Sequence, residues 1–284
     1  MLTAPEGTQA GAAPTAPEGT QAGAATTALG RPRLHLRATT STNDRARELA
    51  AAGAPHGTLV TAGAQTAGRG RQGRSWHAPP GRALLCSLVL REPPGLLSLR
   101  AGVAVARLVE STVGAPAAVK WPNDVLVCGR KVAGILVEGR PQQRWVVLGI
   151  GINAALRAAD LGPELRDRAG TLGLSEDAIE PLLTALLAAL SSWLAAEQAR
   201  LLAELRARDA LLGRQVAWAQ GSGVAAGIDE DGRLLVQRPT ERVALAAGEV
   251  HLAVDEPDPR GVSPTTGSAD RRTRRRSESR PSAL

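Results

Sequence analysis

A short basic and glycine-rich segment limits what this chain can fold into. Residues 68–76 read Gly-Arg-Gly-Arg-Gln-Gly-Arg-Ser-Trp, and they follow an apolar run at 58–62 that predicts a β-strand. The glycine spacing satisfies G-x-G-x-x-G, which binds dinucleotides only where a helix begins at the loop. Here the segment leads into Pro79-Pro80-Gly81, which will not carry a helix onward. The sequence therefore disfavours a dinucleotide-binding fold, and it has no Gly-Lys-Ser/Thr for a Walker loop.

The composition of this basic loop (residues 68–76) predicts an anionic ligand. Glycine lets backbone N–H groups come close to a ligand, and the guanidinium groups of Arg69, Arg71 and Arg74 have donors arranged for phosphate or carboxylate. A nucleotide carries phosphate groups, and an acyl phosphate joins a carboxyl group to a phosphoryl group. The residues by themselves leave two other interpretations open, a solvated basic turn and a nucleic-acid patch. The net charge of +7 favours anionic partners without choosing between ATP and a nucleic acid.

Hydrophobic periodicity predicts alternating strands and helices, and therefore an α/β fold. Strands are predicted near 34–36, 58–63, 83–90, 119–121, 125–127, 132–138 and 144–150, and helices over 43–52, 96–113 and 177–208. Ser41 or Thr42 can cap the first helix, and Pro181 makes two helices possible in the last stretch. Five short strands after Gly213, the fifth at 249–254, predict a small appended β-barrel.

The two cysteines and the apolar runs bear on where the protein works. Cys86 and Cys128 both lie in apolar runs without a C-x-x-C partner, so we expect small buried thiols in a reducing compartment. The N-terminus has no basic segment followed by an apolar core, as a signal peptide would. No apolar run reaches the length of about 18 residues that a membrane span needs. The sequence predicts a cytoplasmic protein with no membrane partner.

Three further polar clusters stand at predicted strand ends, where α/β sheets usually hold ligands. They are Lys120-Trp121-Pro122-Asn123-Asp124, the stretch 130–138 and Gly149-Ile150-Gly151-Ile152-Asn153. Only two of the 34 basic residues are lysines, Lys120 and Lys131, and a lysine is a compact point charge that can reach a single oxygen. Taken singly, each cluster is equally well explained as an ordinary turn or as tight sheet packing.

Taken together and in this order, the motifs resemble those of the biotin protein ligases. The set also includes Thr40-Ser41-Thr42-Asn43-Asp44 and residues 65–76, and the resemblance covers about residues 34–255. It implies a central mixed sheet flanked by helices, in a catalytic domain like that of class II aminoacyl-tRNA synthetases, followed by an SH3-like barrel. We expect a disordered leader at 1–30, which contains a repeated ten-residue sequence, a catalytic domain at 31–210, the barrel at 211–255 and a disordered basic tail at 256–284.

The resemblance implies a two-step reaction with biotin and ATP as substrates and Mg²⁺ as the metal. Biotin and ATP give biotinyl-5′-AMP and pyrophosphate, and a lysine of a biotin carboxyl carrier domain of an acyl-CoA carboxylase then takes the biotin and releases AMP. Bifunctional relatives carry an N-terminal helix-turn-helix domain, whereas here about 33 residues precede the first strand. We therefore expect a monofunctional protein that does not bind DNA, either a monomer or a homodimer.

The resemblance also assigns site residues. Catalytic roles fall to Lys131, Arg69 and Arg71. The implied biotin-binding residues are Ser41, Thr42, Asn43, Gln65, Gly68, Arg69, Gly70, Arg71, Lys131, Gly134 and Gly149. The implied ATP-binding residues are Arg69, Arg71, Arg74, Trp76, Lys120, Asn123, Asp124, Lys131 and Asn153. Asp124 is the single candidate metal ligand, Gly149 and Gly151 are expected to make room for adenine, and Trp76 is either a stacking partner of adenine or a core residue below the loop.

Two rival functions remain open. A lipoate- or octanoyl-transferring ligase of similar fold is the nearer one, although the full basic loop and the Lys-Trp-Pro-Asn-Asp motif are not expected in it. A nucleic-acid-binding protein using the basic loop and the Arg271–Arg276 tail is the rival of a different class. Its affinity would fall steeply with salt and would not need biotin.

Overall fold

A mixed β-sheet forms the centre of the fold, as the sequence predicts. The computed structural model describes residues 29–139, 142, 144–246, 248 and 250–252. The sheet strands within those residues are β1 (Arg33–Leu36), β2 (Leu59–Ala62), β3 (Leu84–Arg91), β4 (Ala117–Lys120), β5 (Asp124–Val127), β6 (Arg130–Gly139) and β7 (Trp145–Ile152). Their spatial order is β1-β2-β3-β7-β6-β5-β4. The start of β6 therefore lies beside the end of β7, which brings Lys131 close to Asn153.

The strand directions follow from the connections. Helix α1 (Thr42–Ala51) joins β1 to β2, which are parallel, because parallel neighbours need a crossover. The other neighbouring pairs are antiparallel. Ser41 caps α1, since its Oγ accepts a hydrogen bond from the backbone N–H of Asn43 at 3.3 Å. In the antiparallel pairing of β6 with β7, Gly134 lies opposite Gly151.

The two faces of the sheet pack against different helices. Helices α2 (Leu97–Val113), α3 (Ile179–Leu194) and α4 (Gln198–Ala207) cover one face, and α1 covers the other. Side chains alternate along β3, so Leu88 and Leu90 join the large core with α2 whereas Val89 packs with Ala46 of α1. Because both faces of β3 are buried, the strand appears in the sequence as a short continuous apolar run.

The predicted helical stretch at 177–208 is two helices, and the break lies at 195–197, not at Pro181. Pro181 falls in the first turn of α3. The backbone N–H groups of a first turn have no acceptor within the helix, so a proline there costs no hydrogen bond. At the other end of α3, the buried Arg100 of α2 donates to the carbonyl oxygens of Trp193 at 3.0 Å and Ala196 at 2.6 Å. This guanidinium satisfies carbonyls that the end of the helix leaves unpaired.

One helical stretch in the described part of the chain, Glu176–Leu194, is long and apolar enough to cross a membrane by length and composition. Its side chains Leu183, Leu186 and Leu190 are buried in the core that α3 shares with α2. The stretch is thus used for packing between helices and the sheet.

A second, antiparallel sheet follows at the C-terminal end of the described chain. Its strands are β8 (Gln215–Trp218), β9 (Gly221–Ile228), β10 (Leu234–Gln237), β11 (Arg242–Leu245) and β12 (His251–Leu252), in the order β11-β10-β9-β8-β12. The buried Trp121 donates from Nε1 to the carbonyl of Gly232 at 3.0 Å, and the apolar core runs on into this sheet. The predicted α/β class with a small C-terminal β unit is confirmed.

The prediction of two buried thiols is half wrong. Cys86 is buried in β3, and burial raises the pKa of its thiol to about 12. Cys128 is exposed, because Val127 and Arg130 are paired and Cys128 and Gly129 form the tight turn between β5 and β6, both at positive φ. An apolar run can thus end in a turn whose side chain faces solvent.

Several predictions fall on residues outside the described ranges. The leader at 1–30 lies there except for Leu29 and Gly30, and Leu29 packs against the large core. The tail at 256–284 lies entirely outside, as do parts of the predicted fifth barrel strand, including Glu249.

Candidate active site

An uncharged hydrogen-bonding row lines the start of α1. Gln65 Oε1 accepts from the backbone N–H of Thr42 at 2.7 Å and from Thr42 Oγ1 at 3.0 Å. Ser41, Thr42 and Asn43 are all buried. Ser87 of β3 lies below them, with its Oγ 2.6 Å from Asn43 Oδ1 and 2.8 Å from Thr42 Oγ1. The structure therefore brings together Ser41, Thr42, Asn43 and Gln65, the four uncharged polar side chains that the resemblance assigned to biotin binding.

Gly149 of β7 has a role that the sequence did not predict. A Cβ at this position would overlap Asn43 Oδ1 and lie 2.8 Å from Asn43 Cγ. The absence of a side chain makes room for the asparagine, whereas the sequence expected room for adenine. Asn43 is then held from two sides, by Ser87 and by Glu138 of β6, whose Oε2 accepts from Asn43 Nδ2 at 2.7 Å.

The basic loop folds back on itself beside this row. The Gly70 N–H donates to the Arg74 carbonyl at 2.6 Å, and the Trp76 N–H donates to the Gly68 carbonyl at 2.9 Å. A short 3₁₀ turn at Arg71–Gly73 forms the tip. At Gly68 a Cβ would collide with the Trp76 carbonyl oxygen and lie 2.8 Å from Gln65 Nε2, so this glycine is required for the loop to close on itself.

Arg69 is ion-paired inside the site. Its Nη2 lies 2.7 Å from Asp44 Oδ1 and 2.9 Å from Glu138 Oε2. Arg47 of α1 adds a second guanidinium, 3.6 Å from Asp44 Oδ1 and 3.5 Å from Glu138 Oε1. The carboxylates orient the loop arginine toward the sheet, which a freely solvated basic turn would not require.

A second charged cluster lies at the ends of β4 and β5. Arg71 Nη1 donates to Asn123 Oδ1 at 3.2 Å, which ties the loop tip to the Lys-Trp-Pro-Asn-Asp motif. Lys131 Nζ lies 2.6 Å from Asp124 Oδ1. Lys120 ends β4 and is paired in register with Asp124. Both lysines of the chain therefore lie at this pair of strands next to the loop, and Lys131 is ion-paired with the Asp124 carboxylate.

The Trp76 ring packs directly against two glycines of the sheet, Gly134 and Gly151. A Cβ at Gly151 would come within 2.7 Å of the Trp76 ring, and one at Gly134 within 3.0 Å. Lys131 Nζ lies 5.7 Å from the centroid of the Trp76 ring, a distance suited to a cation–π contact. The paired glycines thus make room for the half-buried indole, which lies directly beside the lysine.

Asn153 directly follows β7, and its side chain is buried. Its Nδ2 donates to the Gly170 carbonyl at 2.8 Å, and its backbone N–H donates to the Val132 carbonyl at 2.8 Å. Gly170 N–H in turn donates to the Lys131 carbonyl at 2.8 Å. The asparagine therefore stabilises the backbone that carries Lys131, and its predicted contact with adenine stays a prediction.

A cavity of about 380 Å³ opens between the loop and the sheet. It is lined by Arg69, Gly70, Arg71, Gln72, Gly73, Arg74, Leu136 and Glu138. Arginines lie on one side of this cavity, the Glu138 carboxylate lies on the other, and the uncharged row is next to it. The arrangement suits a ligand with a neutral polar end and an anionic end.

Comparison with known proteins gives the family. Residues 36–153 match the model described as Biotin/lipoate A/B protein ligase family, and residues 211–252 match the Biotin protein ligase C terminal domain. The Biotin--[acetyl-CoA-carboxylase] ligase of Paracoccus denitrificans is 37% identical over 238 residues, which is 76% of this chain and 98% of that protein. The chain belongs to the biotin protein ligase family.

Two further relatives show how much of this chain is similar to known proteins of the family. A solved structure, the biotin protein ligase from Aquifex aeolicus in complex with biotin and ATP, superposes with a TM-score of 0.69 at 28% identity over 78% of this chain and 99% of that one. The Bifunctional ligase/repressor BirA of Bacillus spizizenii is 41% identical over 152 residues, 51% of this chain. Our chain spans about half of that protein's length, 47%.

Sequence reasoning missed four polar residues of this biotin protein ligase site: Asp44, Arg47, Ser87 and Glu138. Ser87 and Glu138 carried a usable signal, because each directly follows or interrupts an apolar run within its strand, where an unpaired polar group would be costly. The partners of Asp44 and Arg47 were not visible, since both lie on a helix whose orientation only the fold supplies.

Proposed function

We propose that this protein activates biotin with ATP and transfers it to a lysine of a biotin carboxyl carrier domain of an acyl-CoA carboxylase. The observation that carries the proposal is the juxtaposition of two chemically different half-sites. The uncharged row of Ser41, Thr42, Asn43 and Gln65 suits the ureido head of biotin, which both donates and accepts hydrogen bonds. The adjoining cations suit a carboxylate and a phosphate.

In the first step, a biotin carboxylate oxygen attacks the α-phosphorus of ATP, and the bond from that phosphorus to the bridging oxygen breaks to release pyrophosphate. Two anions must approach each other, so fixed positive charge lowers the barrier. Lys131 supplies a point charge at the junction, and Arg69 and Arg71 supply donor forks above it. The basic loop also excludes water from the mixed anhydride that forms.

In the second step, the neutral amine of the carrier lysine attacks the acyl carbon, the carbon–oxygen bond of the anhydride breaks so that AMP leaves, and the amine gives up a proton to the solvent. Arg71 and Lys131 are placed to stabilise the negative charge on the departing phosphate. No nucleophilic side chain of this protein is needed, because the carrier lysine is the nucleophile. Burial raises the pKa of Asp209, which follows α4 and whose Oδ1 accepts a hydrogen bond from the Leu211 backbone N–H at 2.8 Å.

Magnesium fits as a companion of the nucleotide. The described residues contain no group of three or more His, Cys, Asp and Glu side chains that could hold a metal ion by themselves. One carboxylate is sufficient when the triphosphate supplies the other oxygens, and Asp124, 14% exposed beside Lys131, is that carboxylate. Bound there, Mg²⁺ would neutralise phosphate charge, while Asp124 and Lys131 orient the triphosphate.

The deciding experiment is isothermal calorimetry with biotin and ATP, separately and together, followed by biotin-dependent ATP–pyrophosphate exchange. We expect biotin to bind and exchange to require biotin and not lipoate. Exchange that is supported equally by lipoate would favour the lipoate-type alternative. Binding of nucleic acid that falls steeply with salt, without any heat from biotin, would refute the ligase.

We further propose a cytoplasmic location. Both Cys86 and Cys128 are free thiols, and free thiols are typical of reducing compartments. Fractionation of cells that express the full chain tests the location, and recovery from a membrane or extracellular fraction would contradict it.

A further inference from the structure

Glu138 lies between the two half-sites of the pocket. Its Oε2 accepts a hydrogen bond from Asn43 Nδ2 at 2.7 Å and another from Arg69 Nη2 at 2.9 Å. The side chain is 24% exposed and lines the cavity of about 380 Å³. One carboxylate oxygen thus joins the uncharged row to the basic loop.

The contact with Asn43 decides how this amide is turned. An amide has two N–H donors and an oxygen with two lone pairs. The Glu138 carboxylate accepts from one N–H of the Asn43 amide, and Ser87 Oγ donates to the amide oxygen of Asn43 at 2.6 Å. One donor and one lone pair remain, and they match a group that offers both a carbonyl and an N–H, as a ureido group does.

The contact with Arg69 fixes the guanidinium in the same way. Nη2 has two hydrogens, and Asp44 and Glu138 receive them at 2.7 and 2.9 Å. The hydrogens on Nη1 then remain for a ligand anion. Glu138 also offsets Arg47, whose Nη1 lies 3.5 Å from Glu138 Oε1, so loss of its charge would leave two guanidinium groups facing one carboxylate.

We infer that Glu138 is a positioning residue that holds Asn43 and Arg69 in one mutual arrangement, so that both ends of biotin meet prearranged donors. The inference rests on the proposed function and adds a residue to it. Glu138 does not touch the reacting atoms; it acts through Asn43 and Arg69, which meet biotin at its two ends.

The test is Glu138→Gln in the full chain, with biotin binding measured by calorimetry in the absence of ATP. A glutamine keeps the size, removes the charge and can donate as well as accept, so neither neighbour is uniquely oriented. Because hydrogen bonds to charged groups are the stronger ones, we expect biotin to bind about tenfold more weakly. Glu48→Gln is the matched control, since Glu48 pairs with Arg45 at 2.6 Å on the exposed face of α1, and its binding should equal that of the parent.

A double-mutant cycle separates positioning from a general loss of structure. In an Asn43→Ala background, Glu138→Gln should weaken biotin binding clearly less than in the parent, because one of its two targets is gone. Equal losses in both backgrounds would overturn the inference. Should Glu138→Gln lower the unfolding temperature strongly, Glu138→Asp, which keeps the charge, should recover part of the biotin affinity. A failure of Asp to do better than Gln would also overturn it.

The outcomes distinguish the two levels of the proposal. If the parent gives no heat with biotin, the proposed function fails and this inference fails with it. If the parent binds biotin and Glu138→Gln binds it equally well, only the role of Glu138 is refuted and the ligase stands.

Discussion

Gly149→Ala is the sharpest single test of how the fold shapes the biotin half-site. Gly149 is in the middle of β7, paired with Ser87 on one side and Leu136 on the other. An added Cβ would overlap Asn43 Oδ1 and lie 2.8 Å from its Cγ, far inside normal contact. The strand is fixed by its ladder of hydrogen bonds, so Asn43 must be the group that moves.

The size of the effect follows from what Asn43 gives up. It leaves Ser87 Oγ at 2.6 Å and Glu138 Oε2 at 2.7 Å, a neutral hydrogen bond of about 1 kcal/mol and a charge-assisted one of about 1.5–3 kcal/mol. Because the Glu138 side chain is 24% exposed, water replaces part of its bond. We expect a loss of about 2–3 kcal/mol in the free energy of unfolding, and therefore about 5–10 °C in Tm.

The assay pairs thermal unfolding with calorimetric binding of biotin in the absence of ATP. Gly149→Ala should weaken biotin binding by at least about tenfold, because the displaced amide no longer offers its donor and acceptor. Gly102→Ala in α2 is the control, since a Cβ there meets only Val119 Cγ1 at 3.4 Å, and it should bind biotin as the parent does. Parent-like biotin binding by folded Gly149→Ala would refute the reasoning.

Three other predictions rest on separate parts of the structure. Lys131→Ala removes the point charge beside Asp124 and should lower biotinyl-AMP formation by about 10²–10³-fold with little change in Tm; ATP–pyrophosphate exchange at the parent rate would show that the role is misassigned. Burial raises the pKa of Cys86 to about 12, so at pH 8 only about one thiol in 10⁴ is the reactive thiolate. A thiol reagent should therefore label the exposed Cys128 in the native protein and both cysteines after unfolding, and two rapid native labels would contradict the burial. Arg100→Met leaves buried carbonyls at the end of α3 without their donor and should cost about 3 kcal/mol in urea unfolding; an unchanged midpoint would mean that water serves them equally well.

Local patterns gave the elements of the fold with good accuracy. Strand β1 and helix α2 each differ from the predicted ranges, 34–36 and 96–113, by a single residue at the start. The order of apolar residues in the sequence follows which residues are buried, so these elements can be predicted without knowing which elements they pack against. Cys128 shows where that reasoning ends, because the two-residue turn that exposes it is defined by the pairing of Val127 with Arg130.

By itself, the sequence determined which chemical groups the protein has at strand ends and in the basic loop, and the motifs resembling biotin protein ligases named four of the eight residues that line the cavity, Arg69, Gly70, Arg71 and Arg74. Only the tertiary structure decided how those groups are paired. Asn43 and Glu138 are 95 positions apart, and Arg69 and Glu138 are 69 apart. Their contacts depend on how α1 and the loop pack on β6 and β7. A hydrogen bond needs atoms within about 3 Å, and no local pattern in the chain encodes that distance.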